Sequence, residues 1–167
     1  MQPRKEEAKM GLPPYSSLGF LAVAFLLKGA EASCCPMEWL PYQGYCYKLF
    51  HEKVSWSDAE LICQSFMPGS HLASIHSNTE ASELANYIVK YRKDGGNVWI
   101  GLRDTRKNRV WSWTDRSSTS YKAWNVGEPN NLRNEENCVE IWSPSGYMLW
   151  NDESCKSERA FLCRYKL

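Results

Sequence analysis

The chain has 167 residues, a formal net charge of +1 at pH 7 and 13% aromatic residues. A nearly neutral chain without a basic run interleaved with aromatic residues argues against a nucleic-acid partner. The length fits one domain with an N-terminal extension. Eight tryptophans and nine tyrosines supply side chains that bury large areas in a compact core.

The N-terminal segment has the layout of a secretory signal peptide. Residues 18–27 form an apolar run of about ten residues, too short for a bilayer span of roughly twenty. Basic residues precede this run, and Ala30-Glu31-Ala32 follows it as an A-x-A cleavage signal. We therefore predict a signal peptide over residues 1–32, with Met10 as an alternative initiator, and a secreted, extracellular protein without membrane insertion. The alternative interpretation of the run is a buried core helix.

The cysteines predict a disulfide framework. In an oxidising compartment an odd number leaves one thiol over, and the count alone does not give the pairing. No C-x-x-C pair occurs, and His51, His71 and His76 form no zinc-like grouping with cysteine, which argues against a zinc site. All seven cysteines lie after the predicted cleavage site: Cys34, Cys35, Cys46, Cys63, Cys138, Cys155 and Cys163.

The mature chain begins with a predicted hairpin and two predicted helices. Residues 39–50 alternate aromatic and polar side chains around a Gln43-Gly44 turn, which is typical of a short hairpin. Ser57-Asp58-Ala59-Glu60 has the capping-box pattern and precedes apolar residues at helical spacing. A second box over residues 77–80 begins a longer helix, predicted to end before Gly95-Gly96. The apolar stripe of this second helix contains Ala81, Leu84, Ala85 and Ile88.

The second half of the chain has the pattern of short strands separated by a long loop. Residues 115–137 are rich in Ser, Asn, Gly and Pro and lack a regular pattern. A loop of this length in a compact domain is either functional or the sign of a wrong assignment. Helices followed by a sheet make an α+β arrangement. The predicted strands cover residues 98–102, 110–113, 138–142, 148–150 and 160–163.

Oxygen-donor side chains cluster at the end of this loop and just beyond it. Ca²⁺ takes about six to eight oxygen ligands, often from carboxylates and carboxamide carbonyls. Taken singly, Glu128-Pro129-Asn130 is an ordinary turn, and Asn151-Asp152 is an Asx turn after a buried tryptophan. Taken together, in a segment that two cysteines can hold, they predict a calcium site. The candidate ligands are Glu128, Asn130, Glu136, Asn151 and Asp152.

The chain resembles the C-type lectin domain over residues 35–167, because its motifs occur in the same order. Short stretches around the Glu-Pro-Asn and Trp-Asn-Asp motifs are also similar to the mannose-type lectins of snake venoms. WSDAEL and HLASI are similar to the regenerating-islet secreted lectins. The residues that carry the resemblance are Trp39, Cys46, Trp56, Ala59, Glu60, Cys63, residues 71–75, residues 99–102, residues 111–113, residues 128–130, Cys138, residues 150–152, Cys155 and Cys163.

The resemblance implies a single C-type lectin-like domain over residues 33–167. In that fold two helices pack on short antiparallel sheets, with a long calcium-binding loop and cross-linking disulfides. It implies a cis peptide before Pro129, and Cys34 remains unpaired. The implied disulfides are Cys35–Cys46, Cys63–Cys163 and Cys138–Cys155. The implied calcium and carbohydrate ligands are the same five residues, Glu128, Asn130, Glu136, Asn151 and Asp152.

The residue order and two departures from the family pattern refine this expectation. In the family, Glu-Pro-Asn accompanies mannose-type sugars and Gln-Pro-Asp accompanies galactose. Exchanging acid and amide reverses the donor and acceptor directions offered to the sugar hydroxyls. Ser118 stands where many venom lectins have a subunit-linking cysteine. Asp104 matches an auxiliary calcium ligand, whereas asparagines replace the commoner acids at the other auxiliary positions: Asn108, Asn131 and Asn137.

The sequence therefore predicts a secreted Ca²⁺-dependent lectin that binds mannose-type glycans on glycoproteins or cell surfaces, with homo-oligomers supplying avidity. One alternative is a Ca²⁺-independent venom-type antagonist of haemostasis factors or receptors, whose members commonly lack the complete motif set. An enzyme is not expected, because no nucleophile arrangement is evident. Trp99, Trp111, Trp113 and Trp142 are predicted core residues rather than sugar platforms. The basic group is predicted to be a solvated loop, with partner binding as the alternative: Arg103, Arg106, Lys107 and Arg109.

Overall fold

The computed structural model describes residues 34–167, which form eight strands and two α-helices. The predicted signal peptide over residues 1–32 lies outside the described residues. None of the helices in the described part has the length and apolar character needed to cross a membrane. The elements are β1 Leu40–Tyr42, β2 Tyr45–Val54, α1 Trp56–Phe66, β3 His71–Leu72, α2 Asn78–Tyr91, β4 Val98–Arg103, β5 Ser112–Trp113, β6 Glu136–Trp142, β7 Leu149–Ser154 and β8 Arg159–Lys166.

All eight strands belong to one sheet, in the order β1-β2-β8-β4-β6-β7, with β3 paired to β8 and β5 to β4. The central pair, β4 and β8, is parallel and places Val98 opposite Ala160. The α+β prediction and the single C-type lectin-like domain are confirmed; the strands that the resemblance implies to be antiparallel form one mixed sheet, because β4 and β8 run parallel. An apolar strand pattern records burial but not the direction of the neighbouring strand, so it could not distinguish these arrangements.

Helix α1 begins earlier than the capping pattern predicts. Ser55 is the N-cap, and its hydroxyl accepts the Asp58 N–H at 3.3 Å. The predicted cap at Ser57 is wrong because Trp56 already lies in the helix. The Trp56 indole is buried and donates to the Ile100 carbonyl at 2.8 Å. This contact ties the first turn of α1 to β4.

Helix α2 begins at its predicted cap. The Ser77 side chain accepts the Glu80 N–H at 3.1 Å. The Glu80 carboxylate accepts the His76 N–H at 2.6 Å and the Tyr47 hydroxyl, which fastens the helix to β2. The predicted stripe is confirmed, because each of its members is buried: Ala81, Leu84, Ala85 and Ile88.

Three disulfides cross-link these elements, and they are the pairs that the resemblance implies. Cys63–Cys163 joins α1 to β8, Cys138–Cys155 joins β6 to the residue after β7, and Cys35–Cys46 joins the described N-terminus to β2. Among the described cysteines, Cys34 is free and exposed.

The core lies between the helices and the sheet. Trp99 and Trp113 are buried, as predicted, whereas Trp111 and Trp142 are only partly buried. A β-carbon at Gly101 would lie 2.6 Å from the Leu72 carbonyl oxygen. Only glycine therefore permits this close approach of β4 to β3.

Candidate functional site

The long loop is anchored on β7 just before its acidic motif. Trp124 forms a parallel bridge with Trp150. The Asn125 N–H donates to the Trp150 carbonyl at 2.9 Å, and the Trp150 N–H donates to the Ala123 carbonyl at 2.7 Å. Because these bonds fix the loop backbone shortly before Glu128, they bring that residue to the edge of β7.

Trp150 packs this part of β7 into the core. Its ring is buried and meets three aromatic rings edge-on, those of Trp113 at 5.6 Å, Tyr121 at 5.6 Å and Trp124 at 5.8 Å. Successive strand residues face opposite sides of the sheet. The packed tryptophan therefore sets the orientation of the asparagine and aspartate that follow it.

Asp152 joins the loop to the strand. Its side chain is completely buried. Oδ1 accepts the Asn130 N–H at 2.9 Å, and Oδ2 accepts the Asn131 N–H at 3.0 Å. Oδ2 also accepts Nη2 of Arg109 at 2.6 Å. A buried carboxylate with three donors is well satisfied, so Asp152 is the fixed point of the site.

Glu128, Asn130 and Glu136 connect to Asp152 through shared backbone amides. The Asn130 N–H, already bonded to Asp152, lies 3.0 Å from Glu128 Oε2, and Asn130 Nδ2 donates to Glu128 Oε1 at 2.9 Å. The Leu132 N–H donates to Glu136 Oε2 at 2.6 Å and to Asn130 Oδ1 at 2.9 Å. We call Glu128, Asn130, Glu136 and Asp152 the oxygen network. The Glu128–Pro129 peptide within it is cis.

Asn151 is held separately from the oxygen network. Its Nδ2 donates to Glu140 Oε1 at 3.0 Å. Glu140 is completely buried and also accepts Asn97 Nδ2 at 2.6 Å and Arg159 Nε at 2.7 Å. This arrangement engages the nitrogen of the Asn151 carboxamide. Its carbonyl oxygen, the side-chain atom able to ligate a cation, is left for another partner.

The carboxylates of the oxygen network repel one another. Burial raises the pKa of Glu128, and the neighbouring Asp152 carboxylate raises it further. Burial also raises the pKa of Glu136, to which the charges of Asp152, Glu153 and Glu128 add. Concentrated negative charge on hard oxygen donors is the chemistry that Ca²⁺ prefers, and the donor set therefore fits this ion.

Carboxylates alone do not complete a cation site. In residues 34–167, no three His, Cys, Asp or Glu side chains form a group that would hold a metal ion by themselves. Asn130 and Asn151 add neutral carboxamide oxygens to these carboxylates.

Two residues near the site were not identified from the sequence. Glu140 interrupts the apolar pair Val139 and Ile141 in a buried strand, and a charge at such a position indicates a buried partner. Arg109 carried no comparable signal. It was predicted to be a solvated loop residue, yet its side chain is only 33% exposed and forms an ion pair with Asp152.

Asp104, the match to an auxiliary calcium ligand, is engaged by its own loop. Its Oδ1 accepts the N–H groups of Arg106 and Asn108, both at 3.2 Å, and its Oδ2 accepts the N–H of Arg109 at 2.6 Å. The side chain is buried. In this structure Asp104 therefore organises the turn that follows β4.

A mixed sheet with two helices, three disulfides and a long loop of oxygen donors defines a C-type lectin domain. The family profile described as the lectin C-type domain matches residues 52–165. The chain belongs to the C-type lectin family, which is a carbohydrate-binding family.

Relatives from snakes and a human structure share this domain. A C-type lectin of Cerberus rynchops is 52% identical, and the match covers 90% of this chain and 96% of that relative. A C-type lectin mannose-binding isoform of Oxyuranus scutellatus is 53% identical, covering 89% and 94% respectively. Human lithostathine has a TM-score of 0.76 at 36% identity, covering 80% of this chain and all of that one. These similarities confirm the resemblance to snake venom lectins and to the regenerating-islet type.

Proposed function

We propose that this protein is a secreted, Ca²⁺-dependent lectin for mannose-type glycans, with residues 1–32 as its signal peptide. The observation that carries the proposal is the oxygen network, in which shared amides join Glu128, Asn130, Glu136 and Asp152. The similarity to a relative that bears the name mannose-binding also supports it. Glu128, Asn130, Glu136, Asn151 and Asp152 are the proposed ligands of both calcium and sugar.

The pairing of acid and amide suits a pair of neighbouring sugar hydroxyls. A carboxylate only accepts hydrogen bonds, whereas a carboxamide nitrogen donates them. Glu128 and Asn130 therefore present an acceptor and a donor side by side. Bound calcium would supply a Lewis-acidic centre for the hydroxyl oxygens. We propose a binding role without catalysis, in which homo-oligomers on glycoproteins or cell surfaces gain avidity.

The first test is retention on mannose and galactose resins with and without EDTA. We expect retention on mannose resin in calcium and its loss in EDTA, because the proposed ligands bind sugar only together with the ion. Retention that survives EDTA, or a preference for galactose, contradicts this proposal. Binding to haemostasis factors or receptors in EDTA would favour the Ca²⁺-independent antagonist instead.

A second test reverses the acid and amide. Glu128→Gln with Asn130→Asp exchanges the acceptor and donor positions without changing the net charge. We expect retention to move from mannose towards galactose resin by at least about tenfold, the equivalent of one good hydrogen bond of roughly 1.4 kcal/mol. The matched control is Glu135→Gln with Asn134→Asp, because both residues are exposed on the same loop. An equal change in the control would refute the assigned residue order.

A further inference from the structure

Arg109 reaches the oxygen network from the neighbouring loop. Its Nη2 donates to Asp152 Oδ2 at 2.6 Å, and its Nη1 donates to the Glu136 carbonyl oxygen at 3.1 Å. One guanidinium thus contacts two of the proposed ligand residues. The guanidinium carbon Cζ of Arg109 lies 4.9 Å from the centre of the Trp111 ring. Stacking of this kind orients the planar guanidinium group and its N–H donors.

The backbone of this loop is held in an unusual conformation. Lys107 and Arg109 have φ angles of 56° and 64°, in the left-handed region that residues other than glycine seldom adopt. The buried Asp104 carboxylate accepts three N–H groups of the same loop, which keeps this turn in place. The turn therefore presents Arg109 to the site, which a solvated loop would not require.

The charges around Asp152 show when this contact matters most. Glu128, Glu136 and Asp152 bring three negative charges together in the oxygen network. Among the ion pairs of the described residues, Arg109–Asp152 is the one that involves these carboxylates. A buried charge that loses its partner is strongly destabilising. The penalty would be greatest without calcium, because a bound divalent ion supplies positive charge of its own.

We propose that Arg109 is the resident counter-cation of the calcium-free site. It is a positioning residue that holds Asp152 and the start of β6 in place before the metal binds. The calcium-bound half of this inference rests on the proposed function, whereas the calcium-free half does not. Arg109 would keep the site formed when calcium is scarce. Its fixed positive charge would also repel the calcium ion and so weaken calcium binding.

The test compares Arg109→Met with Arg106→Met in EDTA and in saturating calcium. Methionine keeps an apolar stem against Trp111 but removes the charge. Arg106 is the matched control, because it is exposed in the same loop. The melting temperature is followed by tryptophan fluorescence, and the calcium Kd is measured by titration calorimetry on the folded protein.

For Arg109→Met we expect a melting temperature lower by about 5 °C or more in EDTA, since the buried Asp152 carboxylate loses its positively charged partner. Calcium should restore most of this loss. The calcium Kd should fall by at least about threefold, because the ion no longer meets a fixed positive charge. Arg106→Met should change neither quantity.

Three results would overturn the proposal. The first is an equal loss in EDTA and in calcium with an unchanged Kd, which indicates a packing role alone. The second is a loss in EDTA no larger than that of Arg106→Met. If Arg109→Met does not fold, Arg109→Gln removes the charge but keeps an amide donor, and failure of calcium to stabilise this variant more than the wild type is the third. If calcium has no effect on the wild type, the proposed function fails, and the comparison in EDTA still decides the role of Arg109.

Discussion

At the residue scale, Glu140 shows how one buried charge supports the site indirectly. Burial raises its pKa, although the charge of Arg159 and the hydrogen bonds from Asn151 and Arg159 act in the opposite direction. The carboxylate accepts from three side chains on different elements. Asn151 thus owes its fixed orientation to a residue in the adjacent strand, where the pairing of β6 with β7 places Glu140 opposite it.

We predict that Glu140→Ala lowers the free energy of unfolding by about 3–5 kcal/mol, because it removes the buried acceptor shared by Arg159 and the amides of Asn97 and Asn151. Urea denaturation measures this loss. Glu153→Ala is the control, since Glu153 bonds the same arginine at 2.8 Å from a partly exposed position. It should cost about 1 kcal/mol or less. Comparable losses in the two variants would refute the central role of Glu140.

At the element scale, the disulfides close loops of very different lengths. Cys63 and Cys163 are 100 residues apart, whereas Cys35 and Cys46 are 11 apart. A cross-link stabilises a protein mainly by restricting the unfolded chain, and the effect grows with loop length. The link between α1 and β8 should therefore contribute more than the link at the described N-terminus.

We predict that Cys63→Ala with Cys163→Ala costs about 4.7 kcal/mol of unfolding free energy, and that Cys35→Ala with Cys46→Ala costs about 3 kcal/mol. Both double variants remove a complete pair and leave no new thiol. Guanidinium denaturation under oxidising conditions measures the difference. A larger loss from the shorter loop would contradict the chain-entropy explanation.

The sequence predicted helix α2 correctly but misplaced the start of α1 and the length of one strand. Helix α2 was identified correctly because its cap and its apolar stripe are local signals. Helix α1 begins at Trp56 rather than after Ser57. The Trp56 indole donates a hydrogen bond to β4, and a capping pattern in the sequence does not record such a tertiary contact. The strand predicted over residues 110–113 is reduced to Ser112–Trp113, because Arg109 and its neighbours form the turn that faces the site.

At the scale of the whole molecule, Arg164 connects the sheet, α2 and the start of the long loop. It donates to Asp115 Oδ2 at 2.7 Å and to the Ser74 carbonyl at 3.1 Å, and it lies 3.7 Å from Glu80. Tyr47 adds a contact at 3.4 Å. Burial and the Glu80 carboxylate raise the pKa of the Tyr47 phenol, so this hydroxyl remains a neutral donor.

Asp115 links this cluster to pH. Burial acts to raise the pKa of Asp115, but hydrogen bonds from Ser117 and Ser74 and the charge of Arg164 outweigh it, so the pKa lies below its usual range. A carboxyl group whose pKa is lowered in the folded state stabilises the fold at pH values above its unfolded-state pKa of about 3.9. That contribution is lost as the pH falls through the folded-state pKa.

We predict that Asp115→Asn lowers the free energy of unfolding by about 2 kcal/mol at neutral pH, as expected for hydrogen bonds to a charged group. The gap between wild type and variant should narrow as the pH falls below about 4. Denaturant titrations across this range test the prediction. A gap that stays constant at low pH would show that the carboxylate charge is not its cause.

Local pattern was sufficient for the hairpin, helix α2 and the family, and it is also the source of the five candidate ligands, which stay a prediction. Each of these depends on neighbouring residues, on a period along the chain or on a short contiguous motif, and such signals remain visible without a fold. The oxygen network itself is an arrangement within one loop and the adjoining strand pair, β6 and β7.

Contacts between distant segments were decided by the tertiary structure alone. The parallel pairing of β4 with β8 and the bond from Arg109 to Asp152 across 43 positions leave no periodic trace in the sequence. Hydrogen-bond direction between strands and the pairing of charges depend on which surfaces meet when the core closes. For that reason a residue interpreted as a solvated arginine proved to be a partner of the central aspartate.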